Sequence, residues 1–451
     1  MKKRIRVITL LLCGMLFTSC AQGGVSKTKE NVPVEPVEIT ISVYKPQQLL
    51  DTIVAMYMDN HPGVTVTVNN FFDNRKTIVN AETGIVEGVV TPDDYTLENY
   101  ARYLNTLLMS GNADDIIIFQ DIPESQYARM GALADLAPYI ARDSSINEDT
   151  FFMNVLDAAK DAGGRMYRLP VLADVGTLYH FNKALTENTG IAWDTDKTYV
   201  TYAEMFAYAK QVCAASTLAD TYLTYEDSGA QLAVGLIQDR YSEFVNLANR
   251  EAHFDSPAFR TLLQSVYDDY HAAALVPLDE QDVEYYMPYL QSTTTMRSAG
   301  ASINNPDLLY NIMPLANADG QVGSSALRAA VTTNSPNKDT AWDFLRFMLT
   351  DEVQTLPSLY SPGISRTAFP VYVENFCNGM RESSGGALNY PPDSMVEVLS
   401  EWLLRINGFA ETDVIVNALI YNEMCLLFED AQSIEETVRN LQYKCDMHLN
   451  Q

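Results

Sequence analysis

The chain has 451 residues, 47% of them hydrophobic, with 30 basic against 58 acidic side chains and a formal net charge of −28. That length accommodates two lobes of ordinary size, and that apolar content belongs to a globular chain, not a disordered one. The acidic excess argues against nucleic acid as a partner, because phosphate neutralisation needs clustered Lys and Arg.

The chain opens MKKRIRVITLLLCGMLFTSCAQGG, with Lys2, Lys3, Arg4 and Arg6 ahead of an apolar run over 7–17. Such a run falls well short of the ~20 residues of a bilayer-crossing helix. A basic start, a short apolar stretch and a small-residue exit predict a signal peptide over 1–19. Leu16-Phe17-Thr18-Ser19-Cys20 resembles the bacterial lipobox, with Phe17 where leucine is usual. That resemblance implies a lipid on Cys20, and two acyl chains anchor firmly where one is marginal. The other reading is an ordinary secretory signal with a chance cysteine. Cleavage would leave 26 basic against 58 acidic residues. Residues 20–37 are polar, contain glycine and proline, and read as a flexible stalk.

Residues 38–44 then alternate, with Ile39, Ile41 and Val43 on one face, and predict a strand. Leu49, Leu50, Ile53, Val54 and Tyr57 carry helical spacing up to His61-Pro62-Gly63, and VTVTV over 64–68 alternates again. Strand, helix and strand make a βαβ unit. The segment 75–94 lacks pattern and reads as an inserted loop. A helix is predicted over 97–109 with Gly111 as its C-cap. Ile116-Ile117-Ile118-Phe119 has the continuous apolar character of a strand covered on both faces. These alternations predict an α/β sheet with ligands at the strand carboxyl ends: Tyr44-Lys45, the loop after Val68, and Gln120-Asp121. Beyond them, helical spacing covers 202–212, 231–248, 257–273 and 339–349. A strand over 221–225 leads to the turn Tyr225-Glu226-Asp227-Ser228-Gly229. The last sixty residues read as two or three amphipathic helices.

Metal and catalytic patterns are missing from the sequence. The histidines (His61, His180, His253, His271, His448) form no HExxH, and Cys213, Cys377, Cys425 and Cys445 form no CxxC. No metal and no cofactor is expected. Asp114-Asp115 and Asp268-Asp269 supply carboxylate pairs for a surface glycosidase. Sequence neighbours, however, are not opposed across a substrate at the ~5–9.5 Å that glycoside hydrolysis requires.

Several stretches, in order, carry a family resemblance: DNHPGVTVTV, LNTLLMSGNADDIIIF, GALADLAPYI, GGRMYRLPVLADVGTLYHFNKAL, YAEMFAYAKQV, IMPLANADGQVG, VTTNSPNKDTAWDFLRFMLTDEVQ and FEDAQSIEETVRNLQ. Together they resemble the extracellular solute-binding proteins of ABC importers, in the sugar-binding branch that includes maltose-binding protein. The resemblance implies a two-lobe periplasmic-binding-protein-like α/β fold with crossing hinge strands and a helical C-terminus. Crossings are expected near 171–175, 327–331 and 362–366. Lobe one would comprise 38–172 and 328–363, and lobe two 173–327 and 364–451. The implied role is capture of a sugar or oligosaccharide between the lobes and delivery to an ABC permease, by a monomer tethered through Cys20. A protein of this kind is not an enzyme.

On that model the ligand-binding candidates are Asp174, Tyr44, Lys45, Phe119, Asp121, Tyr225 and Asp227. The resemblance places a ligand-contacting carboxylate at Asp174, in the first crossing, and an aromatic and an acid near Phe119 and Asp121. Carboxylates accept strongly from sugar hydroxyls, and rings supply flat contact area. Against this, Asp227 at a helix start is as readily a cap, Lys45 a solvated turn residue, and Trp342 and Trp402 core. Lys45, Arg75 or Arg297 would instead suit a peptide or amino acid, and an acidic cleft a polyamine. An adhesion lipoprotein is the remaining alternative.

Overall fold

The computed structural model describes residues 36–450, apart from 73–75, 80–85, 91–95, 120–121, 123, 177, 183–186, 192–193, 195–196, 218–228, 272–288, 293–295, 297–298, 301–302 and 304–308. The first strand, β1 (Val37–Val43), buries Ile39, Ile41 and Val43 and runs parallel between β2 (Val64–Asn70) and β5 (Ile116–Phe119). All four residues of β5 are buried, as a strand covered on both faces requires. The linking helix Gln48–Asn60 turns Leu49, Leu50, Ile53, Val54 and Tyr57 inward. The helix Leu97–Ser110 precedes β5; Thr96 accepts from Asn99 N at its start, and Gly111 closes it at φ 72°. Only a residue without a Cβ takes that left-handed conformation freely.

Between them the structure corrects the expected loop over 75–94. β3 (Lys76–Val79) and β4 (Val86–Val90) pair antiparallel as a hairpin. Their apolar residues run consecutively beside Gly88, so no period of two marks them in the sequence.

β6 (Leu169–Asp174) and β13 (Ser324–Val331) complete this sheet from far along the chain, giving the order β2-β1-β5-β13-β6. A second sheet has the order β11-β7-β12-β8, from β7 (Leu178–Asn182), β8 (Val200–Thr201), β11 (Tyr289–Ser292) and β12 (Leu309–Ala316). A helix expected over 231–248 stops at Asp239. The buried carboxylate of Asp239 accepts from Tyr202 N and Ala203 N, at the start of the helix Tyr202–Ala215. A short helix, Tyr241–Phe244, and the hairpin of β9 (Val245–Asn246) and β10 (Glu251–Ala252) then sink Phe244 and Val245 into the core.

Two main cores result. One surrounds the first sheet, reaches Leu178 and Ala316 at the ends of β7 and β12, and includes Cys377, Met395 and Trp402 of the helices Phe369–Ser383 and Pro392–Leu404. The other joins Tyr202, Met205, Leu232, Ile237 and Phe259 to Val416, Ile420, Met424 and Leu441 of the helices Val414–Phe428 and Ile434–Leu449. Residues 364–451 therefore supply both cores, and segment 405–413 passes from one to the other.

The three segments expected as crossings lie side by side. β6 pairs with β13, Leu172 bridges Gly363, and Ala173 N donates to Pro362 O at 3.0 Å. Gln354 braces two of them: its Nε2 donates to Val171 O at 3.2 Å, and its Oε1 accepts from Ser365 N at 3.2 Å. A Cβ on Gly363 would stand 2.0 Å from that Oε1, so the close approach depends on glycine. Among the described residues, no helix is long and apolar enough to cross a membrane.

Candidate functional site

The first sheet presents two groups of side chains around its strand ends. Beyond β1 and β2, Tyr44 lies 5.8 Å from Phe72, 6.5 Å from Phe71 and 5.5 Å from Tyr100, ring centre to ring centre. Tyr44 is half-buried, and the exposed Lys45 lies over its ring at 5.9 Å. The second group lies after β5 and before β6, around a cavity of about 860 Å³. One wall comes from the helix Ser125–Arg129 and from residues 158–168. The facing wall comes from residues 238–248 and 317–321, with 409–412 between them. Tyr167, Tyr241 and Phe409 supply rings; Gln238, Asn246, Asn317 and Gln321 supply amides.

Buried charges hold the first wall. Glu124, 2% exposed, is ion-paired to Arg168 Nη1, and its other oxygen lies 3.4 Å from Arg328 Nη1. Arg168, 7% exposed, also donates from Nη1 to Glu411 Oε1 at 3.2 Å, and its guanidinium lies over the Phe409 ring at 5.3 Å. Burial pulls Arg168 down to about 10 from its usual 12.5; Glu411 opposes that shift, and Arg328 adds to it. The Nε of Arg168 is buried and has no hydrogen-bond partner among the described residues. At the wall's edge, Arg129 Nη2 donates to Leu247 O across the cavity at 2.6 Å.

Residues 90–355 match the family model of the bacterial extracellular solute-binding proteins. The chain belongs to this family. Its members are solute receptors, not enzymes. No curated protein matches the sequence. Solved structures share the two-lobe α/β fold. An ABC substrate-binding protein from Listeria monocytogenes, in complex with cycloalternan, is 16% identical over 92% of this chain and 100% of its own, with a TM-score of 0.50. The sugar-binding protein MalE of Xanthomonas citri is 15% identical over 92% of this chain and 98% of its own, with a TM-score of 0.52. A sugar transporter protein of Rhizobium etli, in an open conformation, is 13% identical over 91% of this chain and 99% of its own, with a TM-score of 0.51.

In this solute-binding protein the candidates read from the sequence are scattered. Asp174 ends β6 half-buried, opposite Ser324, and accepts from Gly176 N at 3.3 Å. Burial, and after it the Asp174 charge, pushes the Tyr372 phenol up. Asp174 does not line the 860 Å³ cavity, and neither do Tyr44 and Lys45. Phe119 is 1% exposed and packs on Tyr127 at 5.8 Å, so its place is in the core. Asp121, Tyr225, Asp227 and Cys20 lie outside the described residues, as do Arg75 and Arg297. Trp342 and Trp402 are buried, in line with their helical spacing.

The carboxylate pairs have structural roles. Asp115 accepts from Thr40 N at 2.9 Å and from Ser335 Oγ at 2.5 Å, while Asp114 accepts from Asn69 at 2.9 Å and from Ser42. Asp269 pairs with Lys210 at 2.7 Å, and Asp268 accepts from Gln264 at 2.9 Å. Among the described residues no group of His, Cys, Asp and Glu is arranged for a metal, and Cys213, Cys377, Cys425 and Cys445 are free thiols.

Sequence reasoning missed Glu124, Arg168, Phe409 and Glu411. Glu124 follows the end of β5 by five residues, so the strand-end rule reaches it one turn later than the positions it singled out. Nothing local marks Arg168 or Glu411; only the fold brings them together.

Proposed function

We propose that this solute-binding protein captures a carbohydrate in the cavity between its walls and delivers it to an ABC permease. The carrying observation is the cavity itself: about 860 Å³, walled from both sides, with rings beside amides and fixed charges. That volume lies in the range of small-molecule sites. Rings cover the C–H faces of a sugar, while amides and charged groups bond its hydroxyls. Support also comes from relatives described as sugar-binding or as holding cycloalternan. In this reading lobe one is 38–172 with 328–363, lobe two is 173–327 with 364–451, and closure turns on β6, β13 and 362–366. Tyr44, Lys45 and Asp174 are secondary contacts, reached by a longer saccharide. Residues 1–19 act as a signal, lipid on Cys20 tethers a monomer to the cell membrane, and 20–37 form its stalk.

Thermal unfolding of the protein starting at Gly24, against mono- and oligosaccharides, amino acids, peptides and polyamines, tests the capture. A ligand at a hundred times its Kd adds ~2.7 kcal/mol to the folded state. A saturable shift with a saccharide, accompanied by a smaller radius of gyration in solution scattering, is expected. Shifts confined to amino acids, peptides or polyamines would discard the carbohydrate. For the anchor, Cys20→Ser is expected to move the protein from the membrane fraction to the soluble one.

A further inference from the structure

We infer that Arg129 is a latch for this receptor: by donating from one cavity wall to the Leu247 carbonyl of the other, it holds the walls together and sets how long a captured solute is kept. The consequence for the solute rests on the capture reading, whereas the latch itself concerns the walls alone.

The bond joins residues 118 positions apart, Arg129 Nη2 donating to Leu247 O at 2.6 Å. Its two ends are rooted in different packing. On the donor side, Arg129 ends the helix Ser125–Arg129, and Tyr127 within that helix is fully buried against Phe119 of the first sheet. On the acceptor side, Leu247 packs against the second core and lies in the turn between β9 and β10. That turn is fixed in place. Asn249 N donates to Asn246 Oδ1 at 3.0 Å, and Arg250 takes a left-handed φ of 60°. A residue with a Cβ persists in that region only where its surroundings hold it there. Gln442 of the helix Ile434–Leu449 donates to Ala252 O at 2.8 Å, and Asn450, just past that helix, to Arg250 O at 3.4 Å. A carbonyl fixed to one core and an arginine rooted in the other stay within bonding reach only while the walls stay together.

The second observation is where the bond stands. A further cavity, of about 350 Å³, lies between the helix Leu97–Ser110 on one wall and residues 413–415 and 448–449 on the other. Ser125, Arg129 and Leu247 are the residues it shares with the 860 Å³ cavity. The bond is therefore a strut in the partition between the two, and its loss opens the solute cavity toward its neighbour. The contact of Arg168 with Glu411 also spans the walls, but Glu411 lies on segment 405–413, which already ties the cores together through the chain. Leu247 has no such covalent tie to the wall of Arg129. A charged donor makes a stronger bond than a neutral one. Two features keep this one releasable: Arg129 is exposed, and the like charge of Arg250, on the Leu247 turn, opposes its own while Glu411 supports it.

Solution scattering of the ligand-free protein tests the latch directly. Arg129→Ala is expected to enlarge the radius of gyration while the near-ultraviolet circular dichroism stays as in the wild type. Arg129→Lys, which keeps a charged donor but not the fork, should restore part of the compaction. Arg102→Ala removes the same charge from the lining of the second cavity, but Arg102 is paired with Glu98 on its own helix, so the radius should not change. The second readout is maltotriose binding. Fewer closed molecules mean weaker apparent affinity, so Arg129→Ala should raise the Kd about 3- to 10-fold, chiefly through faster release. An unchanged radius in Arg129→Ala would overturn the latch, and a lowered melting temperature beside that unchanged radius would make the bond a merely structural one. Equal enlargement in Arg102→Ala would overturn it too, by tracing the effect to charge. If maltotriose binds neither protein, sugar capture loses support while the scattering still decides the latch.

Discussion

Two buried glutamates in this molecule sit in opposite circumstances. Glu423, 1% exposed on the helix Val414–Phe428, accepts from Lys444, from Gln432 at 2.8 Å and from Asn440 at 3.3 Å. Burial alone would raise its pKa, but the bonds from Lys444, Gln432 and Asn440 together hold it below the ordinary glutamate value. Glu124 is equally buried, yet its partners are two arginines, one of which keeps an unmet Nε beside an 860 Å³ cavity. A buried polar network whose members are all bonded rigidifies a core. The cluster around Glu124 falls short of that, because the buried Nε of Arg168 finds no hydrogen-bond partner among the described residues.

Three variants sharpen or break this contrast. A large loss of stability is expected from Glu423→Ala. It strands Gln432 and Asn440 and removes the partner of Lys444, and urea unfolding should report a loss of about 3 kcal/mol with saccharide affinity unchanged. Loss of affinity without loss of stability would reverse the assignment of the two clusters. Arg168→Met should cost a similar amount, about 3 kcal/mol, because it leaves the buried Glu124 carboxylate facing Arg328 alone and Glu411 without its partner. Unlike Glu423→Ala, it should also weaken saccharide binding, because Arg168 lines the proposed cavity. Unchanged saccharide affinity in Arg168→Met would make the Arg168 cluster a purely structural one.

The smallest effect is in acid. Because the folded-state pKa of Glu423 lies below its ordinary value of 4.5, its contribution is fully present above that value and is lost as pH falls through the folded pKa. Glu423→Gln should therefore flatten the fall of stability between about pH 5 and pH 2. An unchanged slope would mean that other carboxylates govern acid unfolding.

Much of the scaffold was legible beforehand. The alternation of Ile39, Ile41 and Val43, the spacing from Leu49 to Tyr57 and the run Ile116–Phe119 each carry their own periodicity, and the elements formed where those periods lie. The hairpin of β3 and β4 carries none, and the helix break after Asp239 depends on amides from residues 202 and 203. The candidate site was much less legible. Phe119 was read as a cleft aromatic from its place at a strand end, but a strand covered on both faces buries its last residue too.

The amino-acid sequence by itself determined the strand and helix periods, the order of motifs that marks the family, and the acidic charge that argues against nucleic acid as a partner. Those depend on residues near one another along the chain. The tertiary structure alone decided that Glu124, Arg168, Arg328 and Glu411, up to 287 positions apart, form one cluster of charges. It also decided that residues 364–451 serve two cores. Buried charges tolerate desolvation only where partners converge from several strands, and no local pattern in a sequence records that convergence.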